Sequence, residues 1–266
     1  MERQGHNSST QLLQLGTEIF SIQDGQNYIA ANWTGIAGLL IFYVMVIMII
    51  PKYFRGKRGL NLRNFSIFYN ALMCLFSLYG ASALNYQAKH ILSNHNFYRT
   101  VCSCDYFFNY PSVLATFLFS WSKPVELIDT FILVFRAKTP IFLHWYHHVS
   151  VVIVSMNNYV NPQPTGLWCG VMNYSIHFLM YGYYAIMLTP GKKLVSSFSI
   201  AITTLQILQM LLAFIMHCYI LYQIMTGGSC DATIGSIVMT GGVYLTYAFL
   251  FGKYFVDRYK TKSKKE

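Results

Sequence analysis

Charge is what this chain has least of. Only 11% of its 266 residues are Asp, Glu, Lys or Arg, and nine are acidic, against 55% hydrophobic and 17% aromatic residues. An ordinary soluble domain is about 25% charged, so a water-exposed globule is excluded. Strand-period alternation is also lacking, which argues against a β-barrel. So is a basic start leading into an early apolar core, so no cleaved signal peptide is expected. No shift in composition marks a second domain.

What is present instead are long apolar runs. A bilayer core about 30 Å thick calls for about 20 residues that are apolar all round. Seven stretches fit: Trp33 to Ile50, Phe65 to Gln87, Tyr110 to Phe135, Ile141 to Asn157, Gly166 to Leu188, Val195 to Thr226 and Thr233 to Phe251. Backbone groups in lipid must be satisfied within each helix. The expectation is an all-α integral membrane protein, with residues 1–32 as an outer segment, 33–251 as a seven-helix domain and 252–266 as a basic tail.

Basic residues orient the bundle. With the N-terminus outside, the cytoplasmic segments 51–64, 136–140, 189–194 and 252–266 hold 15 of the 19 Lys and Arg. The net charge of +10 therefore gathers on one membrane face, where it attracts anionic headgroups or phosphate-bearing substrates; no nucleic-acid partner is expected. Cys102, Cys104 and Cys230 fall in outer loops, where a bridge from the 88–109 loop to Cys230 competes with free thiols. Asn7-Ser8-Ser9 is a glycosylation sequon on the same side. Lys262 and Lys264, near the end of "KTKSKKE", resemble a dilysine signal for return to the endoplasmic reticulum, and equally a solvated basic tail.

Ionisable residues at membrane depth are costly and point to function. "KPVELIDT" places Lys123, Glu126 and Thr130 on one helical face with Asp129 beside Glu126, unless this is a self-neutralising cluster at the headgroups; Pro124 invites a kink. "HWYHH" puts His144, His147 and His148 on one face. "NYSIHFLMYGYY" aligns Asn173, His177, Tyr181 and Tyr184, and "TTLQILQ" supplies Gln206 with Gln209 flanking it; packing and interhelical hydrogen bonds are the plainer readings of these two. Four consecutive spans with a polar stripe imply one shared cavity open toward the basic face.

Imidazoles can ligate metal, move protons or attack an activated acyl group. HxxHH also occurs in membrane di-iron desaturases and hydroxylases, which draw on more histidines than converge here. His6, His90 and His95 lie in polar segments and His217 is isolated, so no metal site is expected. A neutral imidazole attacking a thioester needs fewer partners.

Together, "KPVELIDT", "HWYHH", "NYSIHFLMYGYY" and "TTLQILQ", in this order and spacing, resemble the ELO family of very-long-chain fatty acid elongases. The resemblance extends over nearly the whole chain. It implies a 3-oxoacyl-CoA synthase of the endoplasmic reticulum that condenses a long-chain acyl-CoA with malonyl-CoA, without metal or redox cofactor. It also implies that six of seven helices surround a narrow acyl tunnel, and that reductases and a dehydratase complete the cycle. Carried over, His147 is the nucleophile, and His144 and His148 orient it or move protons with support from Asp129. Asn173 and His177 meet the malonyl unit. Lys123 and the cytoplasmic basic residues hold CoA phosphates, Glu126 and Thr130 belong to the same substrate-binding motif, and Tyr181, Tyr184, Gln206 and Gln209 line the tunnel. The family pattern favours Cys102 as the partner of Cys230. The "HWYHH" form resembles the branch acting on saturated and monounsaturated chains of about twelve to eighteen carbons.

Overall fold

The computed structural model describes residues 22–260; Asn7, Lys262 and Lys264 lie outside them. Among the described residues the chain is helical and contains no strand. The helices are α1 (Ile22–Ala31), α2 (Trp33–Tyr53), α3 (Arg63–Asn94), α4 (Phe97–Cys102), α5 (Ser112–Glu126), α6 (Ile128–Phe135), α7 (Phe142–Val160), α8 (Gly166–Met187), α9 (Lys192–Val195), α10 (Phe198–Met225) and α11 (Ile234–Phe255). By length and apolar character α2, α3, α10 and the stretch from Ile234 to Tyr259 can each cross a membrane. The predicted spans at α7 and α8 carry the polar stripes, which lowers their hydropathy for the same reason that they matter chemically. Large apolar side chains such as Phe42, Leu75, Leu212 and Phe249 face outward, as a lipid-bathed surface requires.

Three differences from the sequence expectation bear on the site. The predicted span from Tyr110 to Phe135 is two helices, α5 and α6, broken at Leu127. Pro124 has no N–H for the ladder and its ring crowds the preceding turn; the Leu127 amide instead bonds the Pro124 carbonyl at 3.3 Å in a tighter turn. The segment before Trp33 is not merely polar: α1 packs on α7 with Ile29 buried, and Gln26 Nε2 donates to the carbonyls of Tyr159 and Val160 at 3.1 and 3.3 Å. These are end-of-helix carbonyls without intrahelical donors. At the other end, α11 and the π-turn Val256–Lys260 carry helical structure past residue 251.

α3 and α8 pair most closely, because Gly80 gives the Tyr174 ring a seat: a Cβ there would collide with the ring itself. The seated Tyr174 hydroxyl donates to the Ala115 carbonyl of α5 at 2.9 Å, tying three helices at one point. A disulfide joins Cys102 to Cys230, and the Asp231 amide bonds the Cys102 carbonyl at 2.8 Å. This leaves Cys104 as a buried thiol whose amide is held by Asp231 Oδ2 at 2.9 Å. Burial pushes that thiol up to about 12, so in the folded chain it stays protonated at neutral pH.

Candidate active site

Between the helices lies a narrow cavity. Its walls are Leu84 of α3; Thr116, Phe119 and Ser120 of α5; His147, Val151, Val154, Ser155, Asn158 and Tyr159 of α7; Cys169, Gly170 and Asn173 of α8; Gln209 and Met210 of α10; and Thr240, Val243, Tyr244 and Tyr247 of α11. Tyr106, Thr165 and Gly166 complete it near the loop that follows α7. Six long helices thus enclose it, and no residue of α2 lines it. On α7 the lining residues His147, Val151, Val154 and Asn158 recur every three or four positions, so one face of that helix runs the cavity's length.

His147 sits at one end, its ring 4.9 Å from that of Tyr247 and 6.1 Å from Phe251. Tyr247 is itself held by Ser150 at 2.8 Å. Behind His147, His148 is buried and meets it edge-on at 5.5 Å, and His144 packs on His148 at 4.6 Å. His144 Nε2 lies 2.8 Å from Thr130 Oγ1. The three imidazoles of "HWYHH" therefore form one continuous row of ring contacts, tilted between His144 and His148 and edge-on between His148 and His147. Among the described residues no three His, Cys, Asp or Glu side chains form a group that could hold a metal ion.

Facing the histidines is a second polar group. Lys123 Nζ donates to Glu126 Oε1 at 2.8 Å and to Asn173 Oδ1 at 2.9 Å. Ser122 Oγ donates to the same carboxylate oxygen at 3.1 Å, and His177 Nδ1 lies 3.6 Å from it. An ammonium can only donate, so the Asn173 atom facing Lys123 is the oxygen and its NH2 points the other way. There Nδ2 reaches His177 Nε2 at 3.3 Å; an amide nitrogen only donates, so His177 accepts on Nε2 and carries its proton on Nδ1, toward Glu126. Asn173 lines the cavity, and of its two N–H groups one is taken by His177 while the other remains able to donate.

Several predicted roles do not fit this arrangement. Lys123 is 1% exposed with its charge already matched, so it is not free to hold CoA phosphates; the cluster neutralises itself, and does so inside the bundle. Glu126 and Thr130 are likewise buried and absent from the cavity wall. Asp129 supports no histidine: its Oδ2 accepts from the Tyr181 hydroxyl at 2.7 Å. The break at Leu127 explains this divergence, since residues on either side of it no longer share one helical face. Tyr181 is thereby turned away from the cavity, Tyr184 is 44% exposed, and Gln206 Nε2 donates to Met180 Sδ at 3.3 Å. Of the four predicted tunnel residues Gln209 alone lines this cavity.

Sequence reasoning missed Tyr43, Tyr244 and Tyr247. Tyr43 is a single hydroxyl in the apolar run "LLIFYVMVIMII", and its contact with Thr130 Oγ1 at 2.9 Å is the only sign of its use. Tyr244 and Tyr247 sit three apart in "VYLTYAFLF", a spacing that signals a shared face and says nothing of its neighbour.

The class defined here is an all-helical integral membrane protein with a deep, narrow cavity that has imidazoles and a carboxamide at one end and apolar walls beyond. Comparison with known proteins makes this specific: residues 28–266 match the model of the ELO: GNS1/SUR4 family, and the chain belongs to that family. Relatives include very long chain fatty acid elongase 4 of Trypanosoma cruzi, 34% identical over 226 residues, covering 82% of this chain and 79% of the relative. Fatty acid elongase 3 of Trypanosoma brucei brucei is 34% identical over 251 residues (84% and 82%), and human very long chain fatty acid elongase 3 is 29% identical over 248 residues (91% and 90%).

Proposed function

We infer that this protein catalyses the condensing step of fatty acid elongation: acyl-CoA and malonyl-CoA give 3-oxoacyl-CoA, CoA and carbon dioxide. The carrying observation is that His147 and Asn173 face the same cavity, one as nucleophile and the other as a fixed donor. A His147 ring nitrogen attacks the thioester carbonyl and the C–S bond breaks; the ring's N–H proton passes to the departing thiolate, so that an acyl-imidazole forms and CoA leaves as the thiol. Malonyl-CoA then loses its carboxylate as carbon dioxide, and the bond's electron pair becomes the thioester enolate. The Asn173 N–H that is not bonded to His177, in a carboxamide aimed by Lys123, stabilises that enolate. The enolate carbon attacks the acyl-imidazole, the C–N bond breaks, and the leaving imidazolate takes up a proton from solvent as 3-oxoacyl-CoA forms. Nothing in the structure or among the relatives supports a di-iron desaturase.

The cavity also supports a chain length. From His147 to Tyr159 the α7 wall runs about 18 Å at ~1.5 Å per residue. With C–C bonds of about 1.5 Å a zigzag chain advances roughly 1.3 Å per carbon, so about fourteen carbons fit before Tyr106 and Tyr159 close the end. The preferred substrates thus fall toward the shorter part of the twelve-to-eighteen range.

The charge bias supports seven spans with the N-terminus lumenal and the C-terminus cytoplasmic, in the endoplasmic reticulum membrane. Of the residues expected to meet CoA phosphates, Lys52, Arg55, Lys57, Arg58 and the basic tail then keep that role, without Lys123. Partners are the lipid bilayer and the reductases and dehydratase that process the product.

The test is direct. Purified protein given acyl-CoA and carboxyl-labelled malonyl-CoA is expected to release labelled carbon dioxide without added NADPH or iron, and an acyl adduct trapped before malonyl-CoA addition is expected on His147. Full condensation by His147→Ala would refute the nucleophile assignment.

A further inference from the structure

α2 lies outside the ring of helices that walls the cavity, yet it buries one hydroxyl. Tyr43 is 0% exposed, and its hydroxyl lies 2.9 Å from Thr130 Oγ1, which lies 2.8 Å from His144 Nε2. Thr130 is itself 0% exposed, so no solvent competes for either bond. We propose that Tyr43 is a positioning residue for the condensation, acting through Thr130 to hold His144 in one tautomer and one orientation. This rests on the reading of His147 as the acyl carrier.

The direction of the chain follows from counting hydrogens. A phenol and a threonine hydroxyl bring one each. If Thr130 gives its hydrogen to His144 Nε2, it accepts that of Tyr43, and every hydrogen has a partner. If His144 instead donates from Nε2, Thr130 donates to Tyr43 and the phenol hydrogen is left buried. Among the described residues no other hydrogen-bond partner stands near the Tyr43 hydroxyl, and a buried unmade bond is disfavoured. The relay therefore runs Tyr43 to Thr130 to His144, leaving the His144 proton on Nδ1.

The effect reaches the reacting group by packing. His144 packs at a tilt against His148 at 4.6 Å, and His148 meets His147 edge-on at 5.5 Å. The Tyr43 ring is separately fixed by Phe131 of α6, with centroids 5.9 Å apart, so Tyr43→Phe keeps the packing and removes the hydroxyl alone. The break between α5 and α6 brings Thr130 to this point, and without it the hydroxyl would stay on the Lys123 face.

Two half-reactions are read on the full-length enzyme in detergent: CoA release from acyl-CoA alone, which reports acyl-enzyme formation, and condensation with malonyl-CoA. Tyr43→Phe is expected to slow CoA release about tenfold, the loss of one buried hydrogen bond's worth of alignment, with KM for malonyl-CoA unchanged. Thr130→Val, which keeps the shape of threonine, is expected to do the same, and the double variant to be no slower than Thr130→Val, since one relay is broken once. Loss of activity in step with a lowered Tm, without this split between kcat and KM, would overturn the proposal. So would CoA release within twofold of the parent, or two losses that multiply in the double variant. Should the unaltered enzyme release no CoA from acyl-CoA, the reading of His147 as the acyl carrier itself fails, which is a different result.

Discussion

Replacing Lys123 by Met separates two accounts of this residue. The ammonium is 2.8 Å from Glu126 and 2.9 Å from the Asn173 carbonyl, and also sits 4.2 Å from the centroid of the Phe119 ring. Both side chains of the ion pair are 2% exposed. Met keeps the length and apolar stem but leaves the Glu126 carboxylate with Ser122 alone at hydrogen-bond distance and His177 at 3.6 Å. Stranding one member of a buried pair costs about 3–5 kcal/mol. At about 2–4 °C per kcal/mol for a chain of this size, thermal unfolding in detergent is expected to fall by roughly 10 °C. The Asn173 carboxamide, no longer anchored by its oxygen, loses its orientation, so condensation falls while binding of the CoA moiety does not. Neutralising the partner as well, in Lys123→Met with Glu126→Gln, is expected to restore most of the Tm and little of the activity. The reasoning is refuted if Lys123→Met unfolds at the parent temperature and shows a raised KM for acyl-CoA, because that is the behaviour of an exposed phosphate-binding lysine.

Gly80→Ala places a methyl group against the Tyr174 ring and is expected to cost about 1–3 kcal/mol, seen as a lower Tm together with reduced condensation because Asn173 is the next residue on α8. Gly166 abuts the Tyr106 hydroxyl so closely that a Cβ would collide with it, so Gly166→Ala is expected to push the Tyr106 ring into the closed end of the cavity; competition between acyl-CoAs of different length would show a shift toward shorter chains. The Cys102–Cys230 bridge spans 128 residues, and Cys230→Ser is expected to lower stability by about 2–5 kcal/mol as measured by unfolding under non-reducing conditions. Asp105, hydrogen-bonded by Arg99 at 2.6 Å, is held below its ordinary value of 3.8. A depressed carboxyl contributes stability above its unfolded value and loses it as pH falls through the folded one. Both groups are substantially exposed, so Asp105→Asn is expected to remove only a fraction of a kcal/mol, visible below about pH 4 as a flatter dependence of Tm on pH.

The helices that could be read without a structure are those whose cause is local. α2, α3, α10 and α11 follow from apolar residues at every angular position, and the face shared by His144, His147 and His148 follows from 3.6 residues per turn. Nothing local distinguishes the partners of those faces. Lys123 and Asn173 are fifty positions apart, and Tyr43 and Thr130 eighty-seven. In the sequence Lys123 reads as a cation available for phosphate, and Tyr43 as one aromatic in a lipid-facing run.

Pro124 marks the boundary between the two kinds of knowledge. The sequence alone determined that the helix would be disturbed there, since a missing N–H is a property of one residue. Where the break falls, at Leu127, and that it sends Thr130 to His144 while Asp129 goes to Tyr181, were decided only by the tertiary structure. Composition and periodicity determined an all-helical membrane protein with imidazoles on an interior face, because hydrophobic burial and helical repeat are read residue by residue. Which of those imidazoles lines the cavity, what orients it and where the cavity ends depend on distances between helices, and those are set by how Gly80 seats Tyr174 and how the broken helix packs.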